Sequence, residues 1–338
     1  LEGDKGRIYE VNYTLDYKLD EALNANIEGT ASLVKFAMEH LMDIPLPKEA
    51  GISYGAGCSA FACPDADSND FLMGRNFDFN HRDSTGERVM IPVIAVHTAP
   101  KGGKKSVSFV DALFVSYKSG FYTDGKSDLS LLMALPYLLL DGINEDGFAV
   151  SVLKLDGKPT KQQDPEKKSI FTTVAMRMLL DRASTVDQAI EMLNQYNMCM
   201  DNEEASYHFF MADATGDYAI IEYTKNNPLD PEENPTKMEV LKGDNVWRYV
   251  TNFYTSPSMA DSPDGSNNSK HGKDRYDTLC CSMASSQYKL NSDGVMDLLS
   301  KVSQGPEVQL STGFTQWSEV FNLTKRTVKM SILREYDK

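Results

Sequence analysis

"GCSAFACPDADSNDFLMGRNFDF", residues 57–79, contains two short β-type runs, 58–64 and 71–79, separated by a polar turn cluster. Strands of this length joined by so short a connection pair antiparallel. That pairing sets Arg75 and Asp78 beside the start of the first strand, close to Cys58. A cysteine attacks a carbonyl only as thiolate, so a catalytic one needs a base or cation to bring its pKa below ~8.5. Arg75 supplies the cation, but none of the five histidines (40, 81, 97, 208, 271) falls where a base is needed. A backbone α-amine, with an ordinary pKa of ~7.7 to 8.0, can serve instead, provided the peptide bond before Cys58 is cut. Gly55-Ala56-Gly57 gives an unhindered backbone that lets the thiol reach back to the Gly57 carbonyl. Asp78 would then hold the freed amine. The competing reading is a packed core cysteine, since cysteine is among the most buried residue types.

Further β-type runs follow in 88–99, 106–117 and 148–155, and again in 207–224, where Gly216 marks a hairpin turn. Later runs are 238–242 and 246–252, and 318–333 reads as a final hairpin. Apolar spacing predicts helices over 18–43, 171–183, 184–196, 274–284 and 293–302, with Ser184 or Thr185 as an N-cap. The segment 255–274, rich in Ser, Pro, Asp and Gly, reads as a surface loop. Blocks of strands and blocks of helices, rather than alternation, predict an α+β fold of mainly antiparallel sheets covered by helices.

The 338 residues are 41% hydrophobic and 25% charged, which suits a soluble globular chain. Its densest apolar run, 129–140, is too short to span a bilayer and holds Pro136, so buried core is expected there and no transmembrane segment. The net charge of −15 argues against nucleic acid or an anionic membrane as partner. Five cysteines at these spacings build no disulfide framework, and no Cys-x-x-Cys or His-x-x-x-His is present, so neither metal nor other cofactor is expected. Cys280 and Cys281 are expected as buried helix thiols. A start at Leu1 rather than Met fits a removed signal peptide and an extracytoplasmic or secreted setting, with the cytoplasm as the alternative.

The 57–79 segment resembles the nucleophile region of the linear amide C–N hydrolases. These are the choloylglycine hydrolase family of bile salt hydrolases and penicillin V acylases, with their acid ceramidase and N-acylethanolamine acid amidase relatives. Gly74-Arg75-Asn76-Phe77-Asp78 matches the family's Gly-Arg-Asn-x-Asp. Residues 141–157 resemble its Asn-Glu-x-Gly strand, 184–193 its helix, 207–225 its hairpin, 251–252 its Thr-Asn oxyanion element and 274–279 the segment of its later Arg. The resemblance implies a four-layer αββα sandwich, the N-terminal-nucleophile (Ntn) hydrolase fold. It also implies an activity: autoproteolysis at Gly57-Cys58, then cleavage of linear N-acyl amides through a thioester. Cys58 would be the nucleophile, Arg75 and Asp78 its supports, Asn252 the oxyanion donor and Arg275 an electrostatic site residue. Asn144 and Lys154 are substrate-pocket candidates. Asn144, singled out by the motif only, is better explained as a turn residue before Gly147, and Lys154 either meets an acidic leaving group or points to solvent.

Lys154 follows Leu153 where many bile salt hydrolases carry Leu-Asn, and only 23 residues separate Asn252 from Arg275. That spacing and the long leader are more like the acid ceramidase group, which retains its pro-segment. Residues 1–57 are thus expected as a helical pro-segment, cleaved and kept, before a catalytic domain at 58–338. Implied partners are a small N-acyl amide with an apolar acyl group, the chain's own N-terminal segment and, as an open alternative, a second copy in a homo-oligomer. Rival readings are an acyltransferase using the same nucleophile and a non-catalytic protein with an uncut helical arm.

Overall fold

The 58–64 and 71–79 runs do form an antiparallel pair, with Gly57 opposite Asp78, Cys58 opposite Phe77 and Ala60 opposite Arg75. The computed structural model describes residues 7–42, 56–82, 88–115, 129–201, 205–263, 265, 271–305 and 313–337. In chain order the first elements are β1 (Ile8–Tyr13), α1 (Leu19–Asn24), α2 (Thr30–Ala37), β2 (Ala56–Pro64), β3 (Phe71–Phe79), β4 (Val93–Thr98) and β5 (Ser106–Asp111). Next come β6 (Asp141–Asn144), β7 (Ala149–Asp156), β8 (Lys168–Phe171), α3 (Thr172–Arg182), α4 (Val186–Leu193), β9 (Tyr196–Cys199), β10 (Ala205–Ala212) and β11 (Tyr218–Thr224). The chain closes with β12 (Lys237–Lys242), β13 (Tyr249–Val250), α5 (Lys273–Ser285), α6 (Ser292–Lys301), β14 (Phe314–Asn322) and β15 (Thr327–Ile332).

These strands build an eight-stranded sheet, ordered β1-β4-β5-β6-β7-β10-β11-β12, and a five-stranded sheet, ordered β13-β2-β3-β14-β15. Every pairing in them is antiparallel except the edge pair β1–β4. Three apolar cores separate four layers. Val174, Leu179 and Leu180 of α3 pack against Val110, Val150 and Phe209 of the larger sheet. Between the sheets, Cys58, Ala60, Phe77 and Trp317 meet Ile143, Ala149, Leu153 and Phe210. On the far side, Phe61, Leu72 and Val320 meet Leu279 and Met283 of α5 and Val295 and Leu299 of α6. The period of two along β2 therefore sends Cys58 and Ala60 between the sheets and Phe61 and Cys63 toward the helices. No described helix is long and apolar enough to cross a membrane.

The Gly of the Gly-Arg-Asn motif has a packing cause. A Cβ on Gly74 would lie 2.8 Å from the Phe61 ring and 2.9 Å from Val295, so α6 sits on this strand only because the side chain is missing. Gly74→Ala is expected to destabilise the protein by ~1–3 kcal/mol through overpacking, read as a lower urea midpoint at unchanged m-value.

The segment before Cys58 differs from a simple helical arm. It includes β1, and the stretch read as one helix over 18–43 is two, interrupted at 25–29, where Asn26 takes a φ of 50°. Gly29 packs directly against the Asp201 side chain, whose carboxylate accepts from the Thr30 N–H; its Cβ would lie 2.6 Å from that side chain. The apolar stripe is nonetheless buried: Tyr17, Leu23, Ile27, Leu33 and Phe36 join the core beneath α3. The buried Tyr17 hydroxyl donates to Asp181 at 2.6 Å.

Other expectations are corrected locally. Cys280 is half-buried and Cys281 exposed, because α5 turns that face outward. The 246–252 strand shortens to Tyr249–Val250. The start of the 255–274 loop is buried, at Thr255, Ser256 and Met259. The apolar run near 129–140 is 3-10 helix over Leu129–Tyr137, with Leu135, Tyr137 and Leu139 fully buried. Thr185 is the N-cap of α4, accepting from the Gln188 N–H.

Candidate active site

Four of the proposed residues converge on Cys58 from three parts of the chain: Arg75 and Asp78 on β3, Asn252 just after β13, and Arg275 on α5. β13 pairs with β2, Val250 opposite Ala60, and continuing that register brings Asn252 opposite Cys58. The Cys58 N–H accordingly donates to Asn252 Oδ1 at 2.7 Å. Arg275, in the first turn of α5, donates through Nη2 to the same Oδ1 at 2.7 Å, and through Nη1 to the Cys58 carbonyl at 2.6 Å and the Ser59 hydroxyl at 2.8 Å. Both groups facing Oδ1 are donors only, so the amide orientation is fixed, and Nδ2 donates to the Lys154 carbonyl at 2.8 Å. Gly272, just before α5, adopts a φ of 87°, and a Cβ there would stand 2.7 Å from Arg275 Nη2, so glycine is needed on both counts.

Asp78 lies across from Gly57 and is fully buried. Its Oδ1 accepts from the Thr315 hydroxyl at 2.6 Å, and its Oδ2 from Gln304 Nε2 at 2.7 Å, with Arg275 Nη1 at 3.4 Å. Arg75 points between the sheets, where Nη2 donates to the Val152 carbonyl at 2.8 Å and Nε lies 3.3 Å from Asp141 Oδ2. Glu319 stands opposite Arg75 on β14. Burial raises the Asp141 carboxyl to about 6, with Arg75 pulling the other way. Burial, then the neighbouring Asp141 charge, pushes Glu319 well above the carboxylate range. Two buried carboxyl groups therefore share one cation, and both are pushed toward the protonated form.

Cys58 itself is 2% exposed. Burial pushes its thiol up, the Arg75 cation pulls it down, and the Asp78 charge adds to the rise, while hydrogen bonds from Arg75 and the Asp78 N–H favour the thiolate. In the continuous chain the first effect dominates and the sulfur is a thiol.

The two pocket candidates separate. Lys154 enters through its backbone carbonyl, while its Nζ pairs with Asp156 at 3.2 Å. Asn144 is not brought to this cluster: its Nδ2 donates to the Leu180 and Ala183 carbonyls, and its Oδ1 accepts from the Asp146 and Phe148 N–H groups. It ties the β6–β7 turn to the end of α3, the turn role named as its alternative. Asp141 joins the site from the stretch singled out for Asn144, and Gln304, Thr315 and Glu319 join it without any signal in the local sequence pattern. So does His271, which burial, then the Arg275 charge, lowers to about 4, so a neutral imidazole stands beside Arg275.

A profile of the linear amide C–N hydrolases, choloylglycine hydrolase family, matches residues 58–289 and so begins on Cys58 itself. The chain belongs to that family. A penicillin V acylase of Pectobacterium atrosepticum is 26% identical over 183 residues, 51% of this chain and 46% of the relative, so the match spans about half of that protein's length. Among solved structures, a point mutant of the conjugated bile acid hydrolase from Clostridium perfringens is similar with a TM-score of 0.53 at 15% identity, covering 81% of this chain and 89% of the other. The penicillin V acylase of Agrobacterium tumefaciens gives 0.52 at 16%, covering 81% and 83%. At these identities the likeness establishes the fold, the two-sheet Ntn-hydrolase architecture.

Proposed function

We propose that this protein is a cysteine amidohydrolase that cuts itself between Gly57 and Cys58 and then hydrolyses linear N-acyl amides. The observation that carries this reading is the bond from the Cys58 N–H, the atom that cleavage would turn into an α-amine, to an Asn252 held by Arg275. In maturation the Cys58 sulfur attacks the Gly57 carbonyl carbon, the C–N bond breaks and its nitrogen takes the proton. Water then hydrolyses the resulting thioester, leaving Cys58 first in its chain. In turnover the sulfur bonds the substrate carbonyl carbon while the α-amine takes the thiol proton. That proton passes to the leaving nitrogen as its C–N bond breaks, and water attacks the acyl thioester to release the acid and restore the thiol. The second hydrogen on Asn252 Nδ2, beyond the one given to Lys154, stabilises the oxyanion.

Asn252→Ala is expected to lower turnover roughly 10²- to 10³-fold. Intact mass together with a panel of N-acyl amino acids, bile salt conjugates, fatty ethanolamides and phenoxyacetyl amides tests the whole reading. Two fragments meeting at 57/58 and release of free acid are the expected results; one uncut, inert chain would overturn it. An acyl product transferred to an added amine would shift the assignment to acyltransferase.

A further inference from the structure

The segment that carries Asn252 is held by a buried histidine–glutamate pair outside the reacting cluster. Glu222 on β11 is fully buried and accepts from the Thr255 N–H at 2.9 Å, the Thr255 hydroxyl at 2.8 Å, the Ser256 N–H at 2.9 Å and the Ser256 hydroxyl. His208 on β10, also fully buried, places Nδ1 3.1 Å from Glu222 Oε1 and Nε2 2.8 Å from the Thr251 carbonyl. Burial alone would raise the Glu222 carboxyl, but hydrogen bonds from His208, Ser256 and Thr255 hold it below the usual range, so it is ionised. The two ring nitrogens thus tie the Glu222 carboxylate on one side to the Thr251 carbonyl on the other. The pair grips the chain immediately before Asn252, at the carbonyl of the Thr251–Asn252 peptide, and again three and four residues after it.

The geometry points to His208 and Glu222 as positioning residues that aim the Asn252 amide at the oxyanion. This rests on the reading of Asn252 as oxyanion donor. Neither residue touches the reacting atoms; they act by fixing the peptide from which the amide projects. Such a clamp matters because a misplacement of about 1 Å away from the chemistry is enough to lose roughly 10²-fold in rate. Glu222→Gln replaces one acceptor oxygen by an NH2 that cannot accept from the Thr255 or Ser256 N–H it then faces, so the grip weakens while the volume is kept.

The test measures kcat and KM on mature enzyme, normalised to reactive Cys58 by iodoacetamide titration, for Glu222→Gln, Asn252→Ala and the double variant. Glu222→Gln is expected to lose roughly 10- to 100-fold in kcat with KM little changed. In the Asn252→Ala background the same substitution should lose no more than about 3-fold, because the group it aims is already gone. If the two losses instead multiply, or if folded Glu222→Gln turns over at the parent rate, the positioning role is wrong while Asn252 keeps its own. A parent rate for Asn252→Ala removes the oxyanion reading and the clamp's purpose together. Should Glu222→Gln fail to fold, Thr255→Val with Ser256→Ala carries the test. It removes two hydroxyl donors and leaves the His208–Glu222 contact, with a loss of roughly 3- to 10-fold expected that again vanishes without Asn252.

Discussion

Cys58→Ala is expected to yield one uncut polypeptide and to reduce amide hydrolysis on the order of 10⁶-fold, to background. Both effects share a cause in the proposed mechanism, where the same sulfur attacks Gly57 during maturation and the substrate carbonyl afterwards. The substitution trims one atom from a site packed with Ala60 and Phe77, so the fold is expected to survive. Mass spectrometry and near-UV circular dichroism read the two halves separately. A folded Cys58→Ala protein that still cleaves itself or its substrate would exclude the thiol mechanism.

Arg75→Met has the second-largest expected effect, on stability as well as rate. It deletes the cation beside the Cys58 sulfur, and a loss of roughly 10²- to 10³-fold in turnover is expected from the missing charge. It also leaves Asp141 buried without its partner, an arrangement that typically costs ~3–5 kcal/mol. The sign of the pH dependence follows from Asp141, whose carboxyl sits at about 6 rather than 3.8. A raised acid makes the folded state take up a proton, so the penalty is absent below the unfolded value and grows as pH rises through the folded one. Without Arg75 that carboxyl rises further. The urea stability deficit of Arg75→Met is therefore expected to be smaller at pH 5 than at pH 8; an equal deficit at both would show that Asp141 is not the group left unpaired.

The layers are legible from the chain because each rests on a local pattern. The antiparallel pairing of 58–64 with 71–79 needs only strand lengths and a turn, and it fixes Asp78 against Gly57 and Arg75 against Ala60. Asn252 emerges by resemblance, yet its contact is also a matter of register, two residues beyond the Val250–Ala60 pair. What stays hidden depends on contacts between distant strands. Asp141 lies in the same stretch as Asn144, and its inward direction follows the alternation shared with Ile143. Its partner Glu319 arrives on β14, which no local pattern places opposite Arg75. The break at 25–29 escapes the periodicity because Ile27 continues the apolar spacing even though the backbone turns at Asn26, and Gly29 is required by Asp201 far along the chain.

The strand Ile8–Tyr13 lies parallel to Val93–Thr98, each residue pairing with one 85 positions later. It leaves the ribosome well ahead of that partner, which lies on the other side of the proposed scission point. Zipping of such a distant parallel edge belongs to the slow, late events of folding. Excision at residue 57 would then convert that edge into an association between two molecules, bound by backbone ladder and aromatic burial rather than by a covalent link. A protein so processed would have a dissociation constant where its precursor had none, and its endurance on dilution would become a measurable trait.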